Sequence, residues 1–487
     1  MITLKEIREY AEEGYQTVPI IKSYIADEIT TITALKKMKA AYDHVFMLES
    51  AVSDQKTGRY TFIGMNPILE VTASNGKVSV FEKGQRVEKR QETVEETLRE
   101  ILAEYRSPRL EGVPHFTGGL VGYFTYEFFQ YLENRLDFSV ENVDHLPDVD
   151  LMLFDKIICY DHYKHQILII SHMSLKESLE EEYLKSLEKI DQIYRLLMQG
   201  HSDIKTKGKM TGQLKSRFSQ EEFVERVEKA QNYIQKGEVS QVVLSNYLSA
   251  PFQGSLLDSY RALRTINPSP YMIYLSSPHL EIAGASPETL GTLENGQVKT
   301  YPLAGTRPRG RSAEEDVVMQ ENLLNDEKEV AEHKMLVDIG RRDLAEVCDA
   351  ESICVEDYMS IHKYSHVMHI GSCVAGNLAE GKDALDIIQS LLPAGTLSGY
   401  PKLRACQIIQ ELEADRRDVY GGAIGYIDLS GNMDTCIAIR LIVKRQDQIF
   451  IRSGAGIVEQ SNSDSEYQEC INKAEATVSA VEKQKHI

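Results

Sequence analysis

Two stretches in the second half of the chain place carboxylates at a spacing suited to holding a cation. In DEKEVAEH, Glu329 and Glu332 are three apart, and in EYQECINK Glu466 and Glu469 repeat that spacing with Lys473 one turn on. On a helix, residues three apart share a face. Two such helices aimed at one point would offer an all-oxygen donor set, which favours Mg²⁺ over zinc. Taken singly, either pair is ordinarily a solvated helix face. A third stretch, HKYSHVMHI, carries His362, His366 and His369. Their spacings would suit metal ligation on a helix. YSHVMHIGSCV alternates and is rich in β-formers, however, so it is predicted to be a strand. There the three cannot share a face as a helical cluster would, so one catalytic histidine or ordinary packing is favoured over a zinc site, and all three readings stay open.

Four glycine-bearing turns add anion-binding capacity: PLAGTRPRG (302–310), PAGTLSGYPK (393–402), YGGAIGY (420–426) and SGAGI (453–457). Glycine lets backbone N–H groups approach an anion closely. Arg440 could hold a carboxylate through a two-bonded fork. No turn matches a phosphate-binding GxxxxGK[ST] or a GxGxxG after a strand. A single such turn is usually only a turn. Several together with paired acids point to a pocket for an anion and Mg²⁺.

The elements that must position these residues follow from periodicity. QETVEETLREILAEY (91–105) repeats apolar residues at three and four and is predicted to be a surface helix. FTGGLVGYFTYEF (116–128) suggests a turn feeding a strand, followed by the strand-like runs LMLFDKIICYDH and ILIISH and a charged helix over about 175–199. Residues 201–219 are polar and Lys/Gly-rich, which fits a solvated linker or, less simply, a basic docking patch. SQEEFVERVEKAQNYIQKGE then opens with a Ser cap and acids, a helix-start signature. Beyond it, helices alternate with the strands EIAGAS, MDTCIAIRLIVK and QIFIRSGAG. Two domains are expected, 1–200 and 220–487.

Composition sets the outer bounds. At 487 residues, with 42% hydrophobic and 26% charged, the chain is an ordinary globular protein that needs no staples. A net charge of −20 argues against non-specific nucleic-acid or anionic-membrane binding. The N-terminus lacks a secretory apolar core and the longest apolar runs are strand-sized, so a soluble, cytoplasmic protein is expected. Seven scattered cysteines with no CxxC pair read as buried, inert thiols.

PLAGTRPRG, DEKEVAEH, HKYSHVMHI, PAGTLSGYPK, YGGAIGY and GAGIVEQSNSDSEYQE, in that order, closely resemble the chorismate-utilising enzymes over roughly 220–480. That family adds water or ammonia to chorismate with Mg²⁺. The resemblance implies an α+β fold of two domains, with antiparallel sheets forming a sandwich-like core surrounded by helices. Gln241 in SQVVLS stands where water-using members carry a lysine base, which implies ammonia as nucleophile. Ala304 stands where aminodeoxychorismate-forming members often carry a nucleophilic lysine, and without an amine the covalent route is closed. Both positions imply the anthranilate-forming branch, a lyase of tryptophan biosynthesis. Aminodeoxychorismate formation, release of the amino-intermediate, and a non-catalytic ligand sensor are the rival readings.

Carried over residue by residue, the resemblance implies Mg²⁺ held mainly by Glu332 and Glu469, with Glu329 and Glu466 in support. Gly454, Gly456 and Lys473 would grip the ring carboxylate, and Tyr420 and Arg440 the enolpyruvyl carboxylate. Glu288 in ASPE would protonate the leaving hydroxyl, Thr306 and Thr396 would bond polar substrate groups, and His369 would assist proton removal. In the first domain, Glu49 and Ser50 of LES resemble the family's tryptophan-binding region, with Pro270, Tyr271 and Met272 of NPSPYM as the opposite wall. Tryptophan is absent from the chain, as would suit an enzyme made when that amino acid is scarce. With no nucleophile setting around any cysteine, glutamine-derived ammonia would need a separate glutamine amidotransferase subunit, giving a hetero-oligomer. Three positions depart from the family pattern: Arg342 for a common Asn, Tyr400 for a common small residue, and Gly371 for a branched one.

Overall fold

The computed structural model describes residues 2–51, 58–82, 85–88, 93–133, 136, 146–202, 207–363 and 367–482. Helices start where side chains satisfy the first backbone N–H groups. Ser219 and Thr93 cap Gln220–Gln235 and Val94–Glu104, each through a reciprocal box with the glutamate three residues on. Val94, Leu98 and Ile101 are the buried stripe of the second helix, as its periodicity predicted. The paired glutamates lie on the helices Glu327–Ala345 and Ser463–Glu482.

Two large sheets, of 13 and 12 strands, form the frame. Every strand pairing within them, among the described residues, is antiparallel. One core lies between the sheets and includes Phe46, Phe62 and Ile273 from one and Val121, Met152 and Ile424 from the other. The outer faces are covered by helices such as Thr31–Ala41, Leu179–Gln199 and Leu257–Ile266 on the first sheet and Val94–Glu104 and Ala384–Leu391 on the second. The result is an α+β sandwich.

Both sheets take strands from either side of residues 201–219. Val45–Glu49 pairs with Tyr271–Ser276 in the larger sheet, and Gly119–Phe124 with Ala423–Asp428 in the smaller. Within 201–219, Lys209–Met210 and Lys215–Ser216 pair with the edge of Gln241–Gln253.

Strands also leave one sheet for the other. The run MDTCIAIRLIVK, expected as one strand, is two: Met433–Ile437 lies in the smaller sheet and Leu441–Arg445 in the larger. Arg440 sits at this corner with a left-handed φ of 54°. Beside it, Leu280–Ser286 and Thr289–Glu294 make the same transfer, and Glu288 lies at their corner. The corners are stitched by Ile437 N–H to the Glu288 carbonyl (2.9 Å) and Ala285 N–H to the Arg440 carbonyl (3.2 Å). Alternation alone cannot distinguish a straight strand from one that turns between sheets.

Candidate active site

Glu288 and His369 are the two titratable groups whose environments diverge most usefully. Glu288 is 8% exposed, and burial raises its pKa to about 7 against the opposing pull of Thr396, Lys473 and Arg440. His369 is 9% exposed, and burial lowers its pKa to about 4, with Arg440, His362 and Lys473 adding to the depression. The same two cations therefore act on both groups. Near neutrality one is a carboxylic acid with a proton to give and the other a neutral imidazole.

The imidazole tautomer is set by its neighbours. His369 Nδ1 lies 2.8 Å from the Gly305 carbonyl, which can only accept, so Nδ1 carries the proton and Nε2 the lone pair. Thr306 Oγ1 lies 3.1 Å from the same nitrogen. Gly305 has φ +67°, and a Cβ there would meet Leu323 at 2.8 Å and Glu329 at 3.1 Å. Glycine is required to turn that carbonyl onto the ring. The glycine of PLAGT suggests N–H donors to an anion, whereas the role of the Gly305 carbonyl has no signal in the sequence.

His369 lies on Val367–Asn377 as expected for a strand, and its direct partner across the hairpin is His362. The two share a face because they occupy two strands; His366 lies outside the described residues. A Cβ at Gly371 would sit 2.4 Å from the His362 ring, so this departure makes room for that imidazole. The other two departures meet each other. Arg342 donates to the Tyr400 hydroxyl and lies 5.5 Å from its ring centroid, while Tyr400 packs against the cluster Ala304, Leu336 and Ile339.

A cradle of glycine backbone adjoins the pair. The Tyr420 hydroxyl fills the space a Cβ at Gly454 would need, and Gln241 Nε2 does the same at Gly456, each at 2.7 Å. Lys473 Nζ donates to the Gly454 carbonyl at 3.1 Å and contacts Glu469 at 2.6 Å. Gln241 Nε2 also donates to Glu332 at 3.1 Å. Among the described residues, the buried atoms Gln241 Oε1 and Thr396 Oγ1 have no hydrogen-bond partner, nor does Ser245 Oγ beside Gly454. The Thr396 hydroxyl is near enough to Glu288 to lower its pKa but falls short of hydrogen-bond geometry.

The four glutamates meet the chemistry of a hard cation without forming a ready cage. Burial raises Glu329, and the charge of Glu332 raises it further; burial likewise raises Glu466, with Glu469 adding to it. Lys328 of the first helix acts on Glu466 of the second, so the two helix faces adjoin. Arg307 contacts Glu329 at 3.4 Å. Among the described residues, no three His, Cys, Asp or Glu side chains are gathered closely enough to hold a metal. Mutually repelling oxygen donors in a low-dielectric setting fit a divalent ion that would draw them in.

Of the residues that the resemblance assigns to tryptophan, Glu49, Ser50, Pro270 and Met272 lie together and Tyr271 does not. Glu49 and Met272 are direct partners across the Val45–Glu49 and Tyr271–Ser276 strands, and Ala51 N–H bonds the Ser269 carbonyl at 3.0 Å, which holds Ser50 beside Pro270. Glu49 accepts from the Tyr260 hydroxyl at 2.6 Å and pairs with Arg264 at 2.6 Å. Tyr271 points to the opposite face, where its hydroxyl meets Asp434 at 2.8 Å and Thr289 at 2.9 Å. Residues 52–57, which complete the motif around LES, lie outside the described residues.

Known proteins agree with this layout. A family model described as chorismate binding enzyme matches residues 44–479. Anthranilate synthase component 1 of Aquifex aeolicus is 41% identical and that of Acetivibrio thermocellus 39%, each over 99% of this chain and 98% of the relative. The chain belongs to the anthranilate synthase component 1 family. It is thus an enzyme of the chorismate-binding lyases. The solved anthranilate synthase component I from Streptococcus pneumoniae superposes with a TM-score of 0.76 at 33% identity, covering 88% of this chain and 93% of that one. The menaquinone-specific isochorismate synthase MenF of Escherichia coli shares the fold alone, with TM-score 0.71 at 18% identity and 98% coverage of both chains. Six of the seven cysteines are buried, and Cys354 is exposed. Among the described residues no helix is long and apolar enough to cross a membrane.

Proposed function

We propose that this anthranilate synthase chain adds ammonia to chorismate and eliminates pyruvate to give anthranilate, with Mg²⁺ and under feedback control by tryptophan. The observation that carries the chemistry is the opposed titration of Glu288 and His369 beneath the same two cations. The dianionic substrate lies between Tyr420 and Arg440 at the enolpyruvyl carboxylate and Gly454, Gly456 and Lys473 at the ring carboxylate. Glu288 gives its proton to the departing hydroxyl as ammonia attacks. Gln241 faces the nucleophile; its amide has no basic lone pair to activate water, in keeping with an ammonia-using site. His369 Nε2 takes the ring proton in the second step, when pyruvate leaves and the ring becomes aromatic. Thr306 and Thr396 bond polar substrate groups.

Glu332 and Glu469, with Glu329 and Glu466 behind them, would hold Mg²⁺. Bound there, the ion supplies Lewis-acid stabilisation of the substrate's ring carboxylate. Release of Glu332 from Gln241 and of Glu469 from Lys473 would accompany its arrival. The region around Glu49, Ser50, Pro270 and Met272 takes tryptophan, so regulation in residues 1–200 draws on a wall from 220–487, the part that carries catalysis, and the two are joined through 201–219. A glutamine amidotransferase subunit delivers ammonia in the cell, and the chain works in the cytoplasm. Purified chain supplied with chorismate, Mg²⁺ and ammonium at mildly alkaline pH should yield anthranilate and pyruvate. Aminodeoxychorismate or a released amino-intermediate as the sole product would overturn this reading.

A further inference from the structure

Arg417 has no part in the chemistry above, yet its guanidinium joins the segments that carry it. The residue is 3% exposed. Its Nη1 donates to the Leu397 carbonyl at 2.6 Å, one residue beyond Thr396. Its Nη2 donates to the Val243 carbonyl at 2.7 Å, two residues beyond Gln241. Nε and Nη2 also fork onto Glu413, at 2.9 and 2.5 Å. Glu413 in turn accepts from Ser245 N–H at 2.7 Å, and Ser245 is the strand partner of Gly454. The Arg417 carbonyl accepts from Tyr420 N–H at 3.1 Å, and the guanidinium lies 4.7 Å from the Tyr126 ring and 5.9 Å from that of Tyr420.

The Leu397, Val243 and Tyr420 contacts therefore end at or within two residues of a group assigned to the catalytic pocket, and the Glu413 brace reaches the Gly454 strand through Ser245. The Arg417 charge is matched by Glu413, 2% exposed, whose ionised form Arg417 and Arg452 favour. Field at the substrate is left to Arg440 and Lys473, the cations that act on Glu288 and His369. What remains to Arg417 is geometry. A planar fork can serve a carboxylate and two carbonyls at fixed angles, which a lysine ammonium on a flexible stem cannot.

We propose that Arg417, braced by Glu413, is the positioning residue of the chorismate cradle, fixing the Thr396 turn, the Gln241 strand and Tyr420 relative to one another without touching substrate. This rests on the assignment of those three segments to chorismate. Arg417→Lys keeps the charge and loses the fork. In the full chain with Mg²⁺ and ammonium, kcat/KM for chorismate should fall about 100-fold, the scale of a small misplacement of reacting groups. Chorismate binding by calorimetry should weaken about tenfold, a readout that does not need turnover. The basic limb set by Glu288 should move to higher pH, because the Thr396 dipole that lowers its pKa withdraws. Arg417→Ala should regain part of the lost kcat/KM on addition of millimolar guanidinium but not methylammonium. If Arg417→Lys does not fold, Glu413→Gln supplies the same measurements at constant volume. A variant with a lower melting temperature but unchanged chorismate affinity and kcat/KM per folded molecule would reduce Arg417 to a structural residue and overturn the proposal. Absence of chorismate binding in the unaltered chain would remove the cradle itself, and wild-type product analysis separates that failure from the first.

Discussion

The catalytic pocket and the Glu49 carboxylate handle buried polarity in opposite ways. Around Glu288 and His369, titratable groups are shifted toward neutrality, and among the described residues polar atoms such as Gln241 Oε1 and Thr396 Oγ1 stand unpartnered. Around Glu49, the carboxylate is engaged by Tyr260, Arg264 and Thr61. An unsatisfied buried group costs about 1–3 kcal/mol, which a ligand with the right donors recovers on binding. The first region is thus built to be completed by its ligand. In the second the carboxylate is engaged already, so a ligand that binds it must exchange with internal partners, a design suited to biasing one arrangement over another.

Substitutions should separate the two regions. The largest effect is expected from Glu288→Gln, which keeps shape and removes the acid: kcat should fall about 10³-fold with the melting temperature held or raised. Steady-state rates beside a thermal melt check this, and a loss below tenfold would remove Glu288 from the chemistry. His369→Ala should cut anthranilate output by about 10²-fold while the amino-intermediate accumulates, read by chromatography of the products. Unchanged anthranilate would exclude the imidazole from the elimination step.

Glu49→Ala should raise the tryptophan concentration for half-inhibition about 10- to 100-fold and leave kcat within about twofold. An unmoved inhibition curve would place the inhibitor elsewhere. The pH profile gives a further contrast. Glu288 must be protonated to act, and its raised pKa keeps it so up to about pH 7. At constant free ammonia, kcat/KM for chorismate should therefore fall about tenfold per pH unit above that point. His369, depressed to about 4, should impose no loss until the pH approaches that value. Tryptophan binding, which uses neither group, should lack the limb set by Glu288 above pH 7. The smallest effect belongs to the departing pair. Tyr400→Ala and Arg342→Asn should each weaken activity slightly and their double variant less than the sum, with a coupling of about 0.5–1 kcal/mol. Strict additivity would mean the two side chains act independently.

What could be read from the sequence was local. The capped start at Ser219, the stripe of Val94, Leu98 and Ile101, and the spacing of Glu329 and Glu332 are written into neighbouring positions and appear where periodicity put them. Features joining distant positions were not legible. The turn of MDTCIAIRLIVK between sheets depends on which strands lie beside it. Tyr271 has the same residue neighbours whether it faces Glu49 or Asp434, and only the strand register decides. The Arg417 fork joins carbonyls at 243 and 397, which no spacing rule connects. The mutual fit of Arg342 and Tyr400 likewise turns two separate oddities into one contact.

The sharing of both sheets between the two ends of the chain bears on how the protein comes to exist at all. Val45–Glu49 waits for Tyr271–Ser276, more than two hundred positions later, and Gly119–Phe124 waits for Ala423–Asp428 longer still. During synthesis the emerging first half therefore presents open strand edges for most of the time the ribosome needs to finish. Such edges template pairing with other chains. Residues 1–200 produced as a separate fragment should accumulate as aggregate, and should be rescued by co-production of 201–487 in the same cell.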